Sequence, residues 1–429
     1  MKQPRKRAAT DSDVLTAKQA AALLGVQPQT LYAYVSRGLL RSRASPGTRQ
    51  KRYARVDVLR LKERADARRG HASVASSALR WGAPVVESAI TLIDDDGPAY
   101  RGRAPLSFLL GAGDPFAACA SWLVRGVEVD ALAVPTGPWL LEVQRIASVV
   151  RRLARAAPPT TPLACVDLVL TAWRLHGPAG VVDDDHEWHK AAALLGHVCA
   201  APLLLRSPEA FIVTTTAPAR ALAAAFDIDD DGLDLLATML LVTADHELNA
   251  STFAARVTAA TEATLASSLS SALATVSGPR HGAMCDRVEA LIDEVGDRSR
   301  ARVVLGGRLA RGDGVPGFSH PLYPQGDPRG RALLQHARVK GSADADVVFA
   351  VIDAWRALAG DNALTKPSVD IGLVAAARAL GMPAGAATAV FAIARCAGWV
   401  AHVVEQRRSV ELLRPRAHYT GPPRNEPLR

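Results

Sequence analysis

A long alanine-rich stretch, residues 115–273, restricts the fold of this chain more than any other feature. Its pattern is helical and is broken at the short segments PTGP, APPTTP, APAR and DIDDDG. Alanine and leucine favour helices, whereas the aromatic residues on which β-rich folds depend make up only 5% of the chain. The stretch therefore predicts packed helices, and we expect an all-α fold class.

The chain has 429 residues, of which 49% are hydrophobic, so it is long enough for two or more domains and a large buried core. Its cysteines are odd in number and include no C-x-x-C pair, which argues against a disulfide framework and a zinc site. We therefore expect a cytoplasmic protein without a metal. The most apolar stretch, residues 371–404, is interrupted by Arg378 and Arg395, so we expect no contact with a membrane.

Positive charge is concentrated in the first 70 residues. They hold 17 Lys and Arg against 5 Asp and Glu, while the remainder of the chain holds 34 against 37. The formal net charge of +9 therefore arises entirely from this segment. Such a distribution is typical of a nucleic-acid-binding domain attached to a near-neutral body, although a solvated basic tail has the same composition.

Two short helices joined by a glycine are predicted near the N-terminus. Thr16 can cap the first, AKQAAALLG, Gly25 supplies the turn, and Pro28 fits the first turn of the second, PQTLYAYVSRG. A basic loop or wing and a third helix follow. The segments LTAKQAAALLGVQPQTLYAYVSRGLL and RQKRY resemble the winged helix-turn-helix of MerR-type and excisionase-type DNA-binding domains. The resemblance implies such a domain at residues 1–70, followed by a linker at residues 71–80.

The same resemblance implies which side chains would meet DNA. The second helix would enter the major groove, and basic residues of the wing would neutralise phosphates. These residues are Gln27, Gln29, Thr30 and Arg37 in the helix, and Arg49, Lys51 and Arg52 in the wing. A unit that serves assembly alone is the other interpretation.

Two smaller features precede the most informative motifs. ESAITLIDDDGPAYRGRAPLSFL has an apolar run, an Asp-Gly-Pro turn and a second short run, which predicts a β-hairpin ahead of the helices. VVDDDHEWHK holds His186 and His189 among acidic residues. Because no matching ligand cluster accompanies these histidines, a loop or a helix start is predicted there and not a metal site.

Six C-terminal motifs each place a histidine, aspartate or arginine beside glycine, proline or small residues. They are TADHELNAST, SGPRHGAM, GFSHPLYPQGDPRG, KPSVDIGL, FAIARCAGWVAHVVEQ and LLRPRAHYTGP. Taken singly, each is explained as well by a structural role. Together and in this order they resemble the citrate synthase family, over about residues 88–423. The resemblance implies an all-α citrate synthase fold at residues 81–429, with a smaller helical domain near residues 284–376 and a cleft beside it.

The resemblance implies an enzyme, an acyltransferase that condenses acetyl-CoA with oxaloacetate and water to give citrate and CoA. Making a carbon nucleophile from the acetyl methyl group requires a base at the methyl proton and a donor to the thioester oxygen. Asp370 matches the family's base, and His281 matches the donor, which acts best as a neutral imidazole. His320 matches the donor to the ketone oxygen of oxaloacetate.

Oxaloacetate also brings two carboxylates, which guanidinium groups bind well. The residues that match the family's carboxylate ligands are Arg329, Arg395, His246 and, reaching in from the neighbouring subunit, Arg414. The backbone that would cradle the adenine of CoA is that of Val315, Pro316 and Gly317. The expected partners are acetyl-CoA, oxaloacetate and at least a second copy of the chain, with no cofactor beyond the CoA substrate.

Three motifs depart from the family's usual sequence. The chain has HGAMC where the family usually has H-G-G-A-N, GFSHP in place of G-F-G-H-R, and PSVDI in place of P-N-V-D-F. None of these changes removes an acid, a base or a carboxylate ligand, but they alter the groups around them. Two alternatives therefore remain: a methylcitrate synthase that accepts propionyl-CoA, and a DNA-binding regulator whose citrate-synthase-like body senses a metabolite.

Overall fold

The computed structural model describes residues 14–24, 26, 30, 31, 34, 35, 40, 42–44, 51–54, 58, 86–178, 184–212, 214–409, 412–415 and 421. The chain divides into two compact units. The smaller unit consists of Met1–Glu87 together with Arg414–Arg429, and the larger unit is Ser88–Leu413. Each unit has its own cluster of buried hydrophobic residues.

In the smaller unit, three short strands form an antiparallel sheet that accompanies a helix. The strands are β1 (Val14–Thr16), β2 (Arg43–Ala44) and β3 (Lys51–Ala54), with β3 in the middle, and the helix is α1 (Ala17–Leu24). The antiparallel pair β2 and β3 forms the wing that the sequence predicts. β1, which pairs with the other edge of β3, is not predicted, because its three residues carry too short a pattern.

Thr16 caps α1, as its position in the sequence predicts. The amide of Gln19 donates to Thr16 Oγ1 at 3.3 Å, and the amide of Thr16 donates to Gln19 Oε1 at 2.9 Å. This reciprocal arrangement satisfies backbone groups that a helix end otherwise leaves unpaired. Leu31 and Tyr53 are fully buried in the core of this unit.

The larger unit begins with the predicted β-hairpin. β4 (Thr91–Asp94) pairs antiparallel with β5 (Gly97–Tyr100). Gly97, which follows the turn, has a φ of +108°, a backbone region that favours glycine. Tyr100 is fully buried, and its hydroxyl donates to the carbonyl of Leu241 at 2.8 Å. That bond fixes the hairpin to the helical body.

Helices form most of the larger unit, as the alanine-rich pattern predicts. In chain order they are α2 (Pro115–Arg125), α3 (Gly137–Ala156), α4 (Pro162–His176), α5 (Asp184–Ala200), α6 (Pro218–Ala225), α7 (Leu233–Thr243), α8 (Ala250–Ala259), α9 (Leu265–Val276), α10 (Met284–Val295), α11 (Ala301–Arg311), α12 (Pro328–Lys340), α13 (Ala343–Ala359), α14 (Val369–Ala379) and α15 (Ala386–Arg407). The segments PTGP, APPTTP, APAR and DIDDDG lie at the starts of α3, α4, α6 and α7. Proline at the first or second position fits a helix start because its missing N–H would be unpaired there.

The acidic segment VVDDDHEWHK contains the start of a helix, as predicted. α5 begins at Asp184, and His189 is exposed on it. Within the described residues, no group of three or more His, Cys, Asp or Glu side chains is arranged to hold a metal ion.

α15 is the most deeply buried helix among those described. Nearly all of its residues are buried, including Arg395 and Trp399. A Cβ at Gly398 would lie 2.3 Å from Asp245 Oδ1 and 2.5 Å from the carbonyl oxygen of Ala244, so only glycine fits this crossing. Of the described helices, this one is long and apolar enough to cross a membrane, and its most apolar window is 100% buried inside the protein.

Candidate active site

Six predicted catalytic and oxaloacetate-binding residues lie in the larger unit, most of them at helix ends. They are His246 after α7, His281 between α9 and α10, His320 before α12, Arg329 and Asp370 in the first turns of α12 and α14, and Arg395 within α15. The first turn of a helix favours negative charge, because its backbone N–H groups are unpaired and the helix dipole is positive there. Two of the six residues therefore lie where an anionic ligand or side chain is stabilised.

Two loops that are distant in sequence pair beside the site. Residues 317–319 run antiparallel to residues 366–368, through one isolated bridge and flanking backbone hydrogen bonds of 2.8 and 2.9 Å. His320 follows the first segment directly, and Asp370 lies two residues beyond the second. The pairing therefore holds the histidine and the aspartate on adjacent lengths of backbone.

The first turns of α12 and α14 are in direct contact, which brings Arg329 towards Asp370. A Cβ at Gly330 would lie 2.4 Å from the carbonyl oxygen of Ser368. One at Gly372 would lie 3.0 Å from the Cα of Gly330. Larger residues at these two positions would force the helices apart.

Asp327 joins the two helices and pairs with Arg329. Its carboxylate accepts the backbone amides of Arg329 and Val369, at 3.0 and 3.1 Å. It also forms a two-pronged ion pair with the guanidinium, with Nε–Oδ1 and Nη2–Oδ2 distances of 3.0 and 2.8 Å. Both side chains are almost fully buried. Burial alone would raise the pKa of Asp327, but the charge and the hydrogen bonds of Arg329, assisted by His320, together hold the pKa below its usual value.

His246, His320 and Tyr323 form an aromatic cluster beside Arg329. Nε2 of His246 lies 2.9 Å from the hydroxyl oxygen of Tyr323. The rings of His246 and His320 are nearly perpendicular, with centroids 5.4 Å apart. Cζ of Arg329 lies 5.5 Å from the centroid of the Tyr323 ring, within the range of a cation–π contact. Three predicted residues are thus brought together, along with a tyrosine to which the sequence assigns no role.

Arg395 is buried with part of its guanidinium unused. Its Nε donates to the carbonyl of Thr243 at 2.8 Å, whereas Nη1 has no hydrogen-bond partner among the described residues. Burial lowers the pKa of Arg395 to about 10, and the carboxylate of Asp245 opposes this shift. A buried donor without an acceptor is costly, so the geometry favours a ligand acceptor at Nη1.

Asp245, which precedes His246, belongs to a buried polar network. Its Oδ2 accepts the hydroxyl of Thr91 at 2.6 Å and lies 3.3 Å from Nε2 of His402. The other ring nitrogen of His402 lies 3.2 Å from Nη1 of Arg256. Because a guanidinium can only donate, that nitrogen accepts, and Nε2 carries the proton that points to Asp245. The network fixes the backbone that carries His246.

His281 lies in a tight turn whose shape requires glycine. Its Nε2 lies 2.9 Å from Ser251 Oγ, and its ring meets the ring of Phe391 edge-on at 5.9 Å between centroids. A Cβ at Gly282 would lie 2.4 Å from Cγ1 of Val276, so a larger residue would displace the turn. Since the serine engages Nε2, Nδ1 is the ring nitrogen available to a ligand.

The three histidines have lowered pKa values and are neutral near pH 7. Burial, assisted by the positive charge of Arg395, lowers the pKa of His281 to about 4. Burial and the charge of Arg329 lower the pKa of His320 to about 4. Burial lowers the pKa of His246 well below its usual value, and both arginines and the other two histidines act in the same direction. These five groups therefore share one neighbourhood, and the imidazoles are in the neutral form that donates to a carbonyl oxygen without transferring a full charge.

Asp370 is partly buried at the start of α14. Its Oδ2 accepts the hydroxyl of Ser368 at 2.8 Å. Burial raises the pKa of Asp370 above its usual value, although the serine hydroxyl and the charge of Arg329 act against that rise. A carboxylate with a raised pKa is a stronger base than usual, which suits proton abstraction.

The predicted CoA segment and Arg414 are also among the residues that the structure describes. Gly317, at the end of the predicted CoA segment 315–317, is buried with a φ of +90°. A Cβ there would lie 2.9 Å from side-chain atoms of Ile371 and Val288. Arg414 is exposed and belongs to the smaller unit, so its reach into a neighbouring subunit stays a prediction.

The predicted DNA contacts are described only in part. Thr30 is helical, Lys51 is exposed on β3, and Arg52 is partly buried on the same strand. Gln27, Gln29, Arg37 and Arg49 lie outside the described residues. The DNA-binding roles of all seven residues stay predictions.

Ser319 has a strained backbone immediately before His320. Its φ of +68° lies in the left-handed region, which costs a residue with a side chain more than glycine. This is the position at which GFSHP replaces the glycine of G-F-G-H-R. Strain of this kind concentrates at functional sites, where the surrounding structure holds it in place.

Several residues complete the cluster although sequence reasoning assigned them no role. They are Asp245, Ser251, Tyr323, Asp327 and Ser368. All of them lie inside the motifs TADHELNAST, GFSHPLYPQGDPRG and KPSVDIGL. The motifs were therefore a signal for these residues, but their partners depend on contacts between segments that are distant in sequence.

The chain matches a known family over most of its length. Residues 78–416 match the citrate synthase family, described as its C-terminal domain. The chain belongs to the citrate synthase family. Residues 14–66 match a helix-turn-helix domain, so the citrate synthase part of the chain carries an N-terminal helix-turn-helix. Both resemblances expected from the sequence are confirmed.

Curated relatives within the family carry two kinds of name. A putative citrate synthase 2 of Mycobacterium tuberculosis is 40% identical over 183 residues, which cover 42% of this chain and 49% of the relative. A 2-methylcitrate synthase of Shewanella oneidensis is 36% identical over 184 residues, covering 42% of this chain and 49% of the relative. The chain thus spans about half the length of the curated relatives it matches.

Solved citrate synthases share the fold over a longer range. A ternary complex of carboxymethyl coenzyme A and oxaloacetate with citrate synthase from Thermoplasma acidophilum covers 82% of this chain and 98% of its own, with a TM-score of 0.68 and 22% identity. The citrate synthase of Thermotoga maritima covers 81% of this chain and 96% of its own, with a TM-score of 0.63 and 23% identity. These likenesses establish the all-α citrate synthase fold.

Proposed function

We propose that this protein condenses a short acyl-CoA with oxaloacetate and water, releasing CoA and a tricarboxylate. The observation that carries the proposal is the cluster of neutral imidazoles, buried guanidinium groups and one basic carboxylate around His246. Such a cluster provides a base, donors to developing oxyanions and ligands for carboxylates in one place. The residues of this cluster come from five separate segments, which a purely structural role for each does not require.

The first step is removal of a proton from the carbon next to the thioester. Asp370 is the proposed base, since its pKa is raised by burial. His281 is the proposed donor to the thioester oxygen through Nδ1, because Ser251 engages Nε2. The neutral imidazole forms a hydrogen bond that strengthens as charge develops on that oxygen. Acid and base catalysis of this kind typically contributes about 10²–10⁴ in rate for each group.

The second step joins the new carbon nucleophile to the ketone of oxaloacetate. His320 is the proposed donor to the ketone oxygen, and its pKa of about 4 keeps it neutral. Nη1 of Arg395, which has no hydrogen-bond partner among the described residues, and the buried guanidinium of Arg329 are the proposed ligands of the two carboxylates. His246 of the aromatic cluster is the proposed source of a further hydrogen bond. Hydrolysis of the resulting thioester releases CoA and makes the process irreversible.

The remaining parts of the proposal follow from the family resemblance. The segment 315–317 would cradle the adenine of CoA, and Arg414 would complete the site from a second subunit, so the active form would be at least a homodimer. No cofactor beyond the CoA substrate takes part in the chemistry. The small domain near residues 284–376 would close over the substrates, and a cytoplasmic location fits the unpaired cysteines.

Release of free thiol tests the function directly. We expect purified protein to release CoA thiol when given acetyl-CoA and oxaloacetate together, and not when either is omitted, since the condensation consumes both. Propionyl-CoA in a parallel assay decides between a citrate and a methylcitrate synthase, because one added methylene changes kcat/KM by about 10–200-fold when a pocket discriminates it. Absence of thiol release with both acyl-CoAs would contradict the proposal.

A DNA-binding role for the N-terminal domain is the second candidate function. It is favoured by the helix-turn-helix match at residues 14–66 and by the concentration of positive charge in the first 70 residues. We expect duplex DNA binding that weakens steeply as salt rises, because bound counterions are released. Arg52→Ala should reduce the magnitude of the slope of log affinity against log salt by about one, whereas Arg152→Ala, at an exposed site in the larger unit, should leave that slope unchanged. Gel shifts at several salt concentrations measure both, and no binding at low salt would contradict this role.

A further inference from the structure

The two oxygens of the Asp370 carboxylate have unequal partners. Oδ2 lies 2.8 Å from the hydroxyl oxygen of Ser368. The backbone amide of Asp370 donates to that same hydroxyl oxygen at 3.2 Å, so the hydroxyl proton is directed at Oδ2. Oδ1 instead faces the thiol of Cys285, whose sulfur lies 3.9 Å from it and 4.0 Å from the Asp370 carbonyl oxygen.

These two contacts differ greatly in strength. A hydroxyl donates a strong hydrogen bond to a carboxylate, whereas a thiol is a weak donor. Burial raises the pKa of Cys285 well above its usual value, so the thiol is neutral and does not compete as a second negative charge. Ser368 is 2% exposed and Cys285 is 0% exposed, so water cannot readily replace either contact.

The charged groups around the carboxylate come from α10 and from the start of α12. Arg329 lowers the pKa of Asp370, and Asp327 raises it. Asp286 and Glu289 of α10 act on the thiol of Cys285. These groups set the overall field, while the serine and the cysteine distinguish one carboxylate oxygen from the other.

We propose that Ser368 and Cys285 are positioning residues for the base: Ser368 fixes Oδ2, and Cys285 leaves Oδ1 as the oxygen that removes the proton. This inference rests on the proposed condensation. In that step the C–H bond of the acyl group breaks, its electron pair becomes the carbon nucleophile, and an O–H bond forms at Oδ1. Ser368 and Cys285 are also positions at which the chain departs from the asparagines of P-N-V-D-F and H-G-G-A-N, so the contacts at this carboxylate are its own.

The pH profile of turnover tests the role of Ser368. The base must be ionised to act, so the acid limb of kcat reports its titration. Removing the hydroxyl in Ser368→Ala removes a hydrogen bond to the ionised form, and we expect the acid limb to move up by about one pH unit. We also expect kcat on the plateau to fall about tenfold to a hundredfold, because the carboxylate loses its orientation, with KM for oxaloacetate unchanged. Ser368→Thr keeps the hydroxyl and should restore both values.

A matched control separates this effect from loss of a helix cap. Ser368 caps α14, and Ser342 caps α13 in the same way, with its hydroxyl accepting the amide of Ala345 at 3.0 Å. Ser342→Ala should therefore lower the melting temperature to a similar degree without moving the pH profile. If Ser368→Ala does not fold, Ser368→Gly replaces it, because glycine is tolerated at a cap.

Cys285→Asn tests the other oxygen. The asparagine amide supplies a stronger donor towards Oδ1, so we expect the acid limb to move down and kcat to fall. An acid limb that stays at the same pH in both Ser368→Ala and Cys285→Asn would overturn the proposal.

A spectroscopic titration keeps this test separate from the proposed activity. If the protein releases no thiol, the proposed condensation has failed, but the carboxylate can still be titrated by infrared difference spectra taken against Asp370→Asn. We expect the Asp370 carboxyl band in Ser368→Ala to titrate about one pH unit higher than in the unchanged protein. Equal titrations would show that the hydroxyl does not control this carboxylate.

Discussion

Asp370→Asn is expected to reduce thiol release by at least about 10²–10⁴-fold. The substitution keeps the size of the side chain and removes its ability to take a proton, so binding of both substrates should persist while kcat falls. Burial raises the pKa of Asp370, so the ionised carboxylate lowers the stability of the folded protein relative to the unfolded chain. Replacing it with a neutral amide should therefore leave the melting temperature unchanged or slightly higher.

Two measurements bear on this expectation. Steady-state thiol release gives kcat, and a thermal melt shows that the fold is retained. Asp353→Asn makes the same chemical change at an exposed site on α13 and should have no effect on either quantity. Turnover close to that of the unchanged protein in Asp370→Asn would remove this residue as the base.

Arg329→Met is expected to lower the free energy of unfolding by about 3–5 kcal/mol and to abolish oxaloacetate binding. The guanidinium and the carboxylate of Asp327 are almost fully buried and bonded at two points. Removing the arginine leaves a buried carboxylate without its counter-charge. Methionine has a similar length and no charge, so loss of volume contributes little.

A double variant distinguishes an unpaired charge from simple loss of packing. Asp327→Asn with Arg329→Met removes both charges. The two carboxylate oxygens of Asp327 accept the backbone amides of residues 329 and 369, and the asparagine oxygen can still accept one of these two amides. We expect the double variant to unfold at higher urea concentration than Arg329→Met alone, yet still to bind no oxaloacetate in calorimetry. Equal or lower stability in the double variant would contradict a charge-based explanation.

Much of the local structure could be predicted because its causes lie within a few residues. The reciprocal bonds of Thr16 and Gln19 span three positions, and the hairpin of β4 and β5 follows from one turn. The four proline- or glycine-bearing interruptions predict helix starts for the same reason. β1 escaped prediction because its pairing with β3 joins residues about forty positions apart, beyond the reach of any local pattern.

The candidate site, like the fold, could be predicted from the sequence only in part. The motifs indicated which side chains carry acid, base and guanidinium groups, and the resemblance of those motifs supplied their roles. The motifs did not indicate that Asp327 would pair with Arg329 or that Tyr323 would contact His246. They also did not indicate that a serine and a cysteine would contact the base. Those contacts arise from the pairing of two loops and the close approach of two glycine-bearing helices.

The sequence by itself determined the helical class, the helix-turn-helix ahead of the larger unit, and the identity of the groups able to do chemistry. Only the tertiary structure decided which nitrogen of His281 is available, which arginine of the site has a donor without a partner among the described residues, and that the histidine pKa values are lowered. The physical reason is that propensity, capping and charge are properties of neighbouring residues, whereas burial and the partners of a side chain depend on segments that folding brings together.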